Sequence, residues 1–223
     1  MMNKLFLSTA LAVATLGVSA IAQSAQAGVI VQPTSASSSG IGFGSLPLSN
    51  SINQSGLSSG YVNGITDFDT YIAGNPTHSG FGNVAQSFFN QTTGVLTYDL
   101  GSVLTTARLA YWAGVTANEN ISSFELFSDD DGNFGNGGTT SLGTFNPSTA
   151  IDGSVQVIDF TDATSQFIHL NILANNGAVF TQIGEVAFDQ GVAPSATTPE
   201  PSTIVALAMV GSGLLLNKRV KRG

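Results

Sequence analysis

Residues 94–100 read GVLTYDL, and residues 166–173 read QFIHLNIL. In the first, Leu96, Tyr98 and Leu100 alternate with Val95, Thr97 and Asp99; in the second, Ile168, Leu170 and Ile172 fall on one face. Successive side chains of a strand point to opposite faces, so both stretches predict strands with one buried side. Outward from these two, short apolar runs recur between Gly, Asn and Asp turns: VAQSFFN at 84–90, RLAYWA at 108–113, ISSFELFS at 121–128, SVQVIDF at 154–160 and AVFTQIGEVAF at 178–188. Seven candidate strands, with no sustained 3.6-residue periodicity between the chain ends, predict an all-β domain built as a two-sheet β-sandwich. Residues 28–82 precede it and are rich in Ser, Gly, Asn and Gln, as in SASSSG at 35–40 and SGLSSG at 55–60; they read as loops with one or two early strands.

Composition narrows the chemistry. The 223 residues contain no Cys, which excludes disulfides, Cys-ligated zinc, a Cys nucleophile and iron–sulfur clusters. Two His make a multi-His metal enzyme untenable, and the net charge of −8 argues against nucleic acid, whose phosphates need clustered cations. Position matters more than number. Lys4 and the terminal Lys218, Arg219, Lys221 and Arg222 leave Arg108 as the single cation between Gly28 and Thr198, a stretch that holds thirteen of the fourteen acids.

The basic ends read as trafficking signals. Lys4, the apolar run LFLSTALAVATLGVSAI at 5–21 and Ala25-Gln26-Ala27 have the order of a secretory signal peptide, with cleavage set by Ala25 and Ala27. Residues 28–190 form the sandwich domain, 191–198 a linker and 199–223 a second address. In that address, Pro199-Glu200-Pro201 precedes the apolar run IVALAMVGSGLLL at 204–216 and the basic cluster. Thirteen helical residues span about 20 Å, short of a hydrocarbon core about 30 Å thick, so the helix holds the inner membrane only with help from snorkelling flanks. The cluster stays on the cytoplasmic side.

The ordered triplet, apolar helix and basic end of the last 25 or so residues resemble the PEP-CTERM sorting signal of Gram-negative bacteria. The resemblance implies recognition of Pro199, Glu200 and Pro201 by an exosortase-type membrane protease, transient residence in the inner membrane, and delivery to the cell surface or extracellular polysaccharide. A second resemblance covers roughly residues 83–190. VLTYDLGSVLTTARLAYWAG, then ISSFELFSDDDG, then QFIHLNILANNGAVFTQIGEVAFD is similar in order and spacing to a discoidin (factor V/VIII C-type) domain. That implies a galactose-binding-like jelly roll and a carbohydrate or other surface ligand. The chain departs from the pattern in lacking a Cys pair across the termini and Lys in the ligand loops.

Candidate site residues follow. Asp129-Asp130-Asp131-Gly132-Asn133 offers oxygen ligands for calcium at Asp129 and Asp131, but position six of an EF-hand would be Phe134 and position twelve Thr140, so a solvated hairpin loop competes with a weak cation site. The discoidin resemblance implies a structural calcium in an early loop, with Asp67 and Asp69 as ligands. Tyr61, Phe68, Tyr71 and Trp112 have the faces that stack on sugars; Trp112 beside Tyr111 reads as core, and Tyr61 and Tyr71, in Gly- and Asn-rich segments, as loop contacts. Arg108 reads as one half of an ion pair or as a ligand anchor. His169 faces solvent or a hydrogen-bond partner, and His78 is distant in sequence. No nucleophile elbow, phosphate loop or His cluster is present. The expected function is non-catalytic binding of carbohydrate or another surface partner, against a purely structural matrix role or a secreted glycan hydrolase.

Overall fold

The computed structural model describes residues 28–191. Its strands are β1 (Val29–Val31), β2 (Ser35–Ser39), β3 (Ala85–Gln86), β4 (Gly94–Trp112), β5 (Ile121–Asp129), β6 (Thr140–Phe145), β7 (Val155–Asn175), β8 (Gln182–Ile183) and β9 (Glu185–Gln190), with one short helix, α1 (Phe68–Ala73), between β2 and β3. The signal peptide, the Pro199-Glu200-Pro201 motif and the terminal helix lie outside the described residues.

Two expected pairs of strands are fused. GVLTYDL and RLAYWA are the halves of the 19-residue β4; SVQVIDF and QFIHLNIL are those of the 21-residue β7. The first halves and second halves belong to different layers. One layer runs β2, the start of β4, the end of β7, β5, β6; the other runs the start of β7, the end of β4, β9, β1. The corner is Gly101-Ser102-Val103. Pairing of β4 with β7 lapses between Asp99 and Leu104, Gly101 takes φ +82°, and Val103 is exposed. A bulge with a left-handed glycine bends a strand without ending it, which in sequence looks like a turn between two strands. VAQSFFN contracts to the two-residue β3, AVFTQIGEVAF divides into β8 and β9, and β6, which buries no residue fully and has Gly143 at φ +125°, escaped the pattern altogether.

The layers pack through alternating side chains. Leu96, Tyr98, Leu100, Ile168, Leu170 and Ile172 are all buried, as their spacing predicts. Across the interface the Tyr98 ring lies 6.2 Å from Phe188, and Tyr111 lies 6.1 Å from Phe124. Tyr98 therefore sits over the Leu109 level of β4 and Phe124, level with the Gly94 turn, under Tyr111. β4 doubles back over itself, and the molecule has a corner end and an opposite end where β4 begins and finishes. Val29 pairs with Gln190, and the Gly191 N–H donates to Thr105 O at 2.9 Å, so both ends of the described chain emerge at the corner end.

Leu109, Ala110, Tyr111 and Trp112 are all fully buried, which alternation alone does not allow. Leu109 and Tyr111 face the sandwich core; Ala110 and Trp112 face outward into a second core closed by Ile30, Tyr61, Phe68 and Tyr71. A layer covered on both faces reads as a continuous apolar run. The cover is Ile30 with residues 57–72, while Val31, Ile41, Leu48 and Ile52 enter the sandwich core, so the segment 28–82 is packed structure rather than the loop-rich preamble its composition suggests.

Candidate functional site

The aromatic residues expected as sugar contacts are structural. Tyr61 and Tyr71 are only 7% and 8% exposed, packed edge to face with ring centres 5.3 Å apart. The Tyr71 hydroxyl donates to Ser59 O at 2.6 Å, and burial pushes its phenol up to about 12. Gly- and Asn-rich neighbours did not place them on a loop surface, because the outer face of β4 supplies apolar area to cover. Trp112 is core as expected, its indole N–H donating to Pro76 O at 2.9 Å.

The acids expected to hold calcium have other partners. Asp67 caps α1, accepting the Thr70 N–H at 2.7 Å. Asp69 pairs with Arg108. Asp129 is buried, hydrogen-bonded to His169 Nε2 at 3.2 Å and to the Asp130 N–H at 2.7 Å. Asp131 accepts from the Asn133 N–H and the Asn136 amide. Among the described residues no three His, Asp or Glu converge on one point. His169 has the hydrogen-bond reading: it is fully buried, with Thr97 on Nδ1 at 2.9 Å. His78 is also buried, and burial lowers its basicity.

Arg108 is an ion pair rather than a free anchor. Its Nε donates to Asp189 at 2.7 Å, its terminal nitrogens reach Asp69 and Asp189, and its Cζ lies 4.4 Å from the centre of the Phe68 ring. It binds the shell of residues 28–82 to β9 through charge and ring face at once.

What the sequence reading missed lies at the end opposite the corner. Phe88 and Phe89 are 50% and 63% exposed, although large apolar side chains at a surface lose favourable burial. Three loops hold them there. The Phe88 N–H donates to Gly42 O, Asn90 N–H to Val179 O and Ser87 N–H to Thr181 O, all within 2.8–2.9 Å. The Phe88 ring lies so close to the backbone of Gly42 and Gly44 that a Cβ at either would come within 2.7 Å of it. Phe89 packs edge to face on Phe180 at 5.6 Å. Between the loops is a cleft of about 190 Å³ lined by Ser45, Leu46, Gln86, Phe88, Phe89 and Phe180. Gln86 donates its amide N–H to Glu119 at 2.6 Å, and its carbonyl oxygen accepts no side-chain hydrogen bond among the described residues. The available signal was the pair Phe88-Phe89 itself: neighbours on an extended chain point to opposite sides, so a single core cannot bury both.

A cleft of about 320 Å³ between Phe145-Asn146-Pro147 and Gln156–Asp159 is larger but less suited to a ligand. Its aromatic, Phe145, packs on Phe124 in the core, and both amide atoms of Gln156 are bonded to Ser148.

No family model matches the chain, and no curated protein matches it. Solved structures do. The paired family 32 carbohydrate-binding modules of Clostridium perfringens ZmpB, solved with GalNAc, match with a TM-score of 0.50 and 10% identity over 71% of this chain and 34% of theirs. The family 32 module of Clostridium perfringens NanJ, solved with galactose, gives 0.49 and 13% over 73% of this chain and all of its own (100%). A chitosan-binding module from a Paenibacillus chitosanase/glucanase gives 0.45 and 16% over 71% and 95%. At such identities the likeness is one of fold: the described chain is a jelly-roll β-sandwich, the fold also found in family 32 carbohydrate-binding modules.

Proposed function

We propose that this is an exported, exosortase-sorted cell-surface or matrix protein whose sandwich binds carbohydrate, without catalysis, in the Phe88–Phe89–Phe180 cleft. One observation carries the binding site: two adjacent phenylalanines held half-exposed or more by glycine contacts and loop hydrogen bonds, beside a cleft with amide and hydroxyl groups. Sugar rings present CH faces that stack on aromatic rings and hydroxyls that need donors and acceptors, so this pairing of surfaces suits them. The neighbours' fold supports the same reading. Export and sorting rest on the two terminal signals. The emergence of both ends of the described residues at the corner, away from the cleft, suits a module held by its tail.

The test is affinity electrophoresis of the full-length chain through gels containing polysaccharides, alongside Phe88→Ala/Phe89→Ala. Retardation by at least one glycan, lost in the double variant, is expected; retardation unaffected by the double variant refutes the site. Mass spectrometry of the protein recovered from cells checks sorting: loss of residues up to Ala27 and of the chain beyond Pro199-Glu200-Pro201 is expected, and an intact chain refutes it.

A further inference from the structure

We infer that the sugar taken by the Phe88–Phe89–Phe180 cleft is a neutral pyranoside and that uronic-acid and sulfated glycans are excluded from it; this rests on reading that cleft as the sugar site. Residues 28–191 hold thirteen carboxylates and one cation, Arg108. That cation is unavailable. Asp69 and Asp189 occupy its nitrogens and Phe68 lies against its guanidinium. It is also at the wrong end: its partner Asp189 adjoins Gln190, which pairs with Val29 at the corner, whereas the cleft is built by the loops at the far end of the sandwich. The two His offer no substitute. His78 is 2% and His169 0% exposed, and His169 is tied to Asp129.

The charge connected to the cleft is negative. Gln86, in its wall, is held by the Glu119 carboxylate at 2.6 Å. A sugar carboxylate or sulfate there would lose water against phenylalanine faces, find no counter-charge, and meet like charge behind Gln86 and across the domain. A neutral ring meets none of these costs. Its CH face lies on the Phe rings, and its hydroxyls reach the Gln86 carbonyl oxygen, Ser45 and the loop backbone. The acidity of the domain, which by composition alone suits a polyanionic matrix bridged by divalent cations, becomes at this site a device for selecting uncharged chains within such a matrix.

The experiment uses polymer pairs that share ring configuration and differ at C6: galactan with polygalacturonate, mannan with polymannuronate, glucan with polyglucuronate. Full-length protein and its Phe89→Ala variant are run through gels of each, in calcium and in chelator. At least one neutral polymer is expected to retard the wild type, its uronate partner to bind about tenfold more weakly or worse, and calcium to leave that ratio unchanged. A uronate bound as tightly as its neutral partner, in either condition and with Phe89→Ala weakening it, overturns the neutral class and leaves the site standing. Absence of retardation by every polymer, or retardation indifferent to Phe89→Ala, overturns both.

Discussion

Replacing Glu185 by Gln tests how the second core carries a carboxyl group. Glu185 opens β9 opposite Trp112 and is fully buried. One carboxyl oxygen accepts the Gln54 N–H at 3.0 Å, and the other has no partner among the described residues. Burial pushes this carboxyl from 4.5 up to about 8, even though the N–H groups of Gln54 and Asn53 pull the other way. Below pH 4.5 the folded and unfolded chains are both protonated, and the side chain contributes its full stability. As the pH rises from there through about 8, the unfolded chain releases a proton that the folded chain retains, and stability falls. The whole interval corresponds to about 5 kcal/mol, and the part reached at pH 7 to about 3 kcal/mol, large beside the roughly 5–15 kcal/mol of an ordinary domain. Gln keeps the shape and removes the titration. Tyr61 and Tyr71 nearby stay neutral throughout, because burial raises both phenols; Asp189, on the same face of β9, titrates in both proteins and cancels in the comparison. Urea unfolding of full-length protein, followed through the single, buried Trp112, should give matched stabilities near pH 4 and an advantage of about 3 kcal/mol for Glu185→Gln at pH 7. Parallel stability curves for the two proteins from pH 5 to 8 would refute the reasoning.

Three further outcomes follow from named contacts. Arg108→Met leaves Asp189, whose side chain is 5% exposed, without its cation; a loss of about 3 kcal/mol is expected in urea unfolding, and an unchanged midpoint means the network is ornamental. Gly44→Ala puts a Cβ 2.6 Å from the Phe88 ring, so glycan retardation should weaken while the melting temperature moves by only a few degrees; full retention would mean that the ring's position is irrelevant to binding. For Asp129, burial raises the pKa, but hydrogen bonds from His169 and the Asp130 and Asp131 N–H groups outweigh it and hold the carboxyl below 3.8. Its stability contribution is present at neutral pH and disappears as pH falls through that range. Asp129→Asn should therefore be less stable than wild type at pH 7 and approach it at pH 3 in thermal melts, and a constant difference would contradict this.

The sandwich was legible where one face of a strand is dry and the other wet. Leu96, Tyr98 and Leu100, and Ile168, Leu170 and Ile172, announce their faces through period alone. The run Leu109–Trp112 does not, since its outer face is dry too, and what covers that face is separated from it by tens of residues. Composition at 28–82 reports the local chain, rich in Ser and Gly, and is silent about the distant Ala110, Trp112 and Ala187 against which Tyr61, Phe68 and Tyr71 pack. The same gap explains the misplaced sites. Asp69 looks like a free ligand until Arg108, 39 residues away, is brought to it. Phe88 and Phe89 look like strand core until the strand stops at Gln86 and leaves both rings in a loop beyond it.

That last contrast also bears on how the molecule presents itself. A domain able to build a second hydrophobic core from residues 28–82 had means to cover two more phenylalanines, yet it fixes Phe88 against two glycines and leaves Phe89 in water. Six residues separate the Thr106–Gln190 level, where the described residues begin and end, from the Trp112 level, about 20 Å along the strands. Under the proposed sorting, a protein held by its tail therefore carries these rings on the side facing away from the attachment. Across residues 28–191 the net charge repels acidic polymer, while the paired rings attract at the cleft. Retention on neutral chains should accordingly be indifferent to salt, while any binding of acidic chains weakens as salt is lowered, a contrast that uncharged stacking on an acidic domain requires and that a charge-driven contact would not produce.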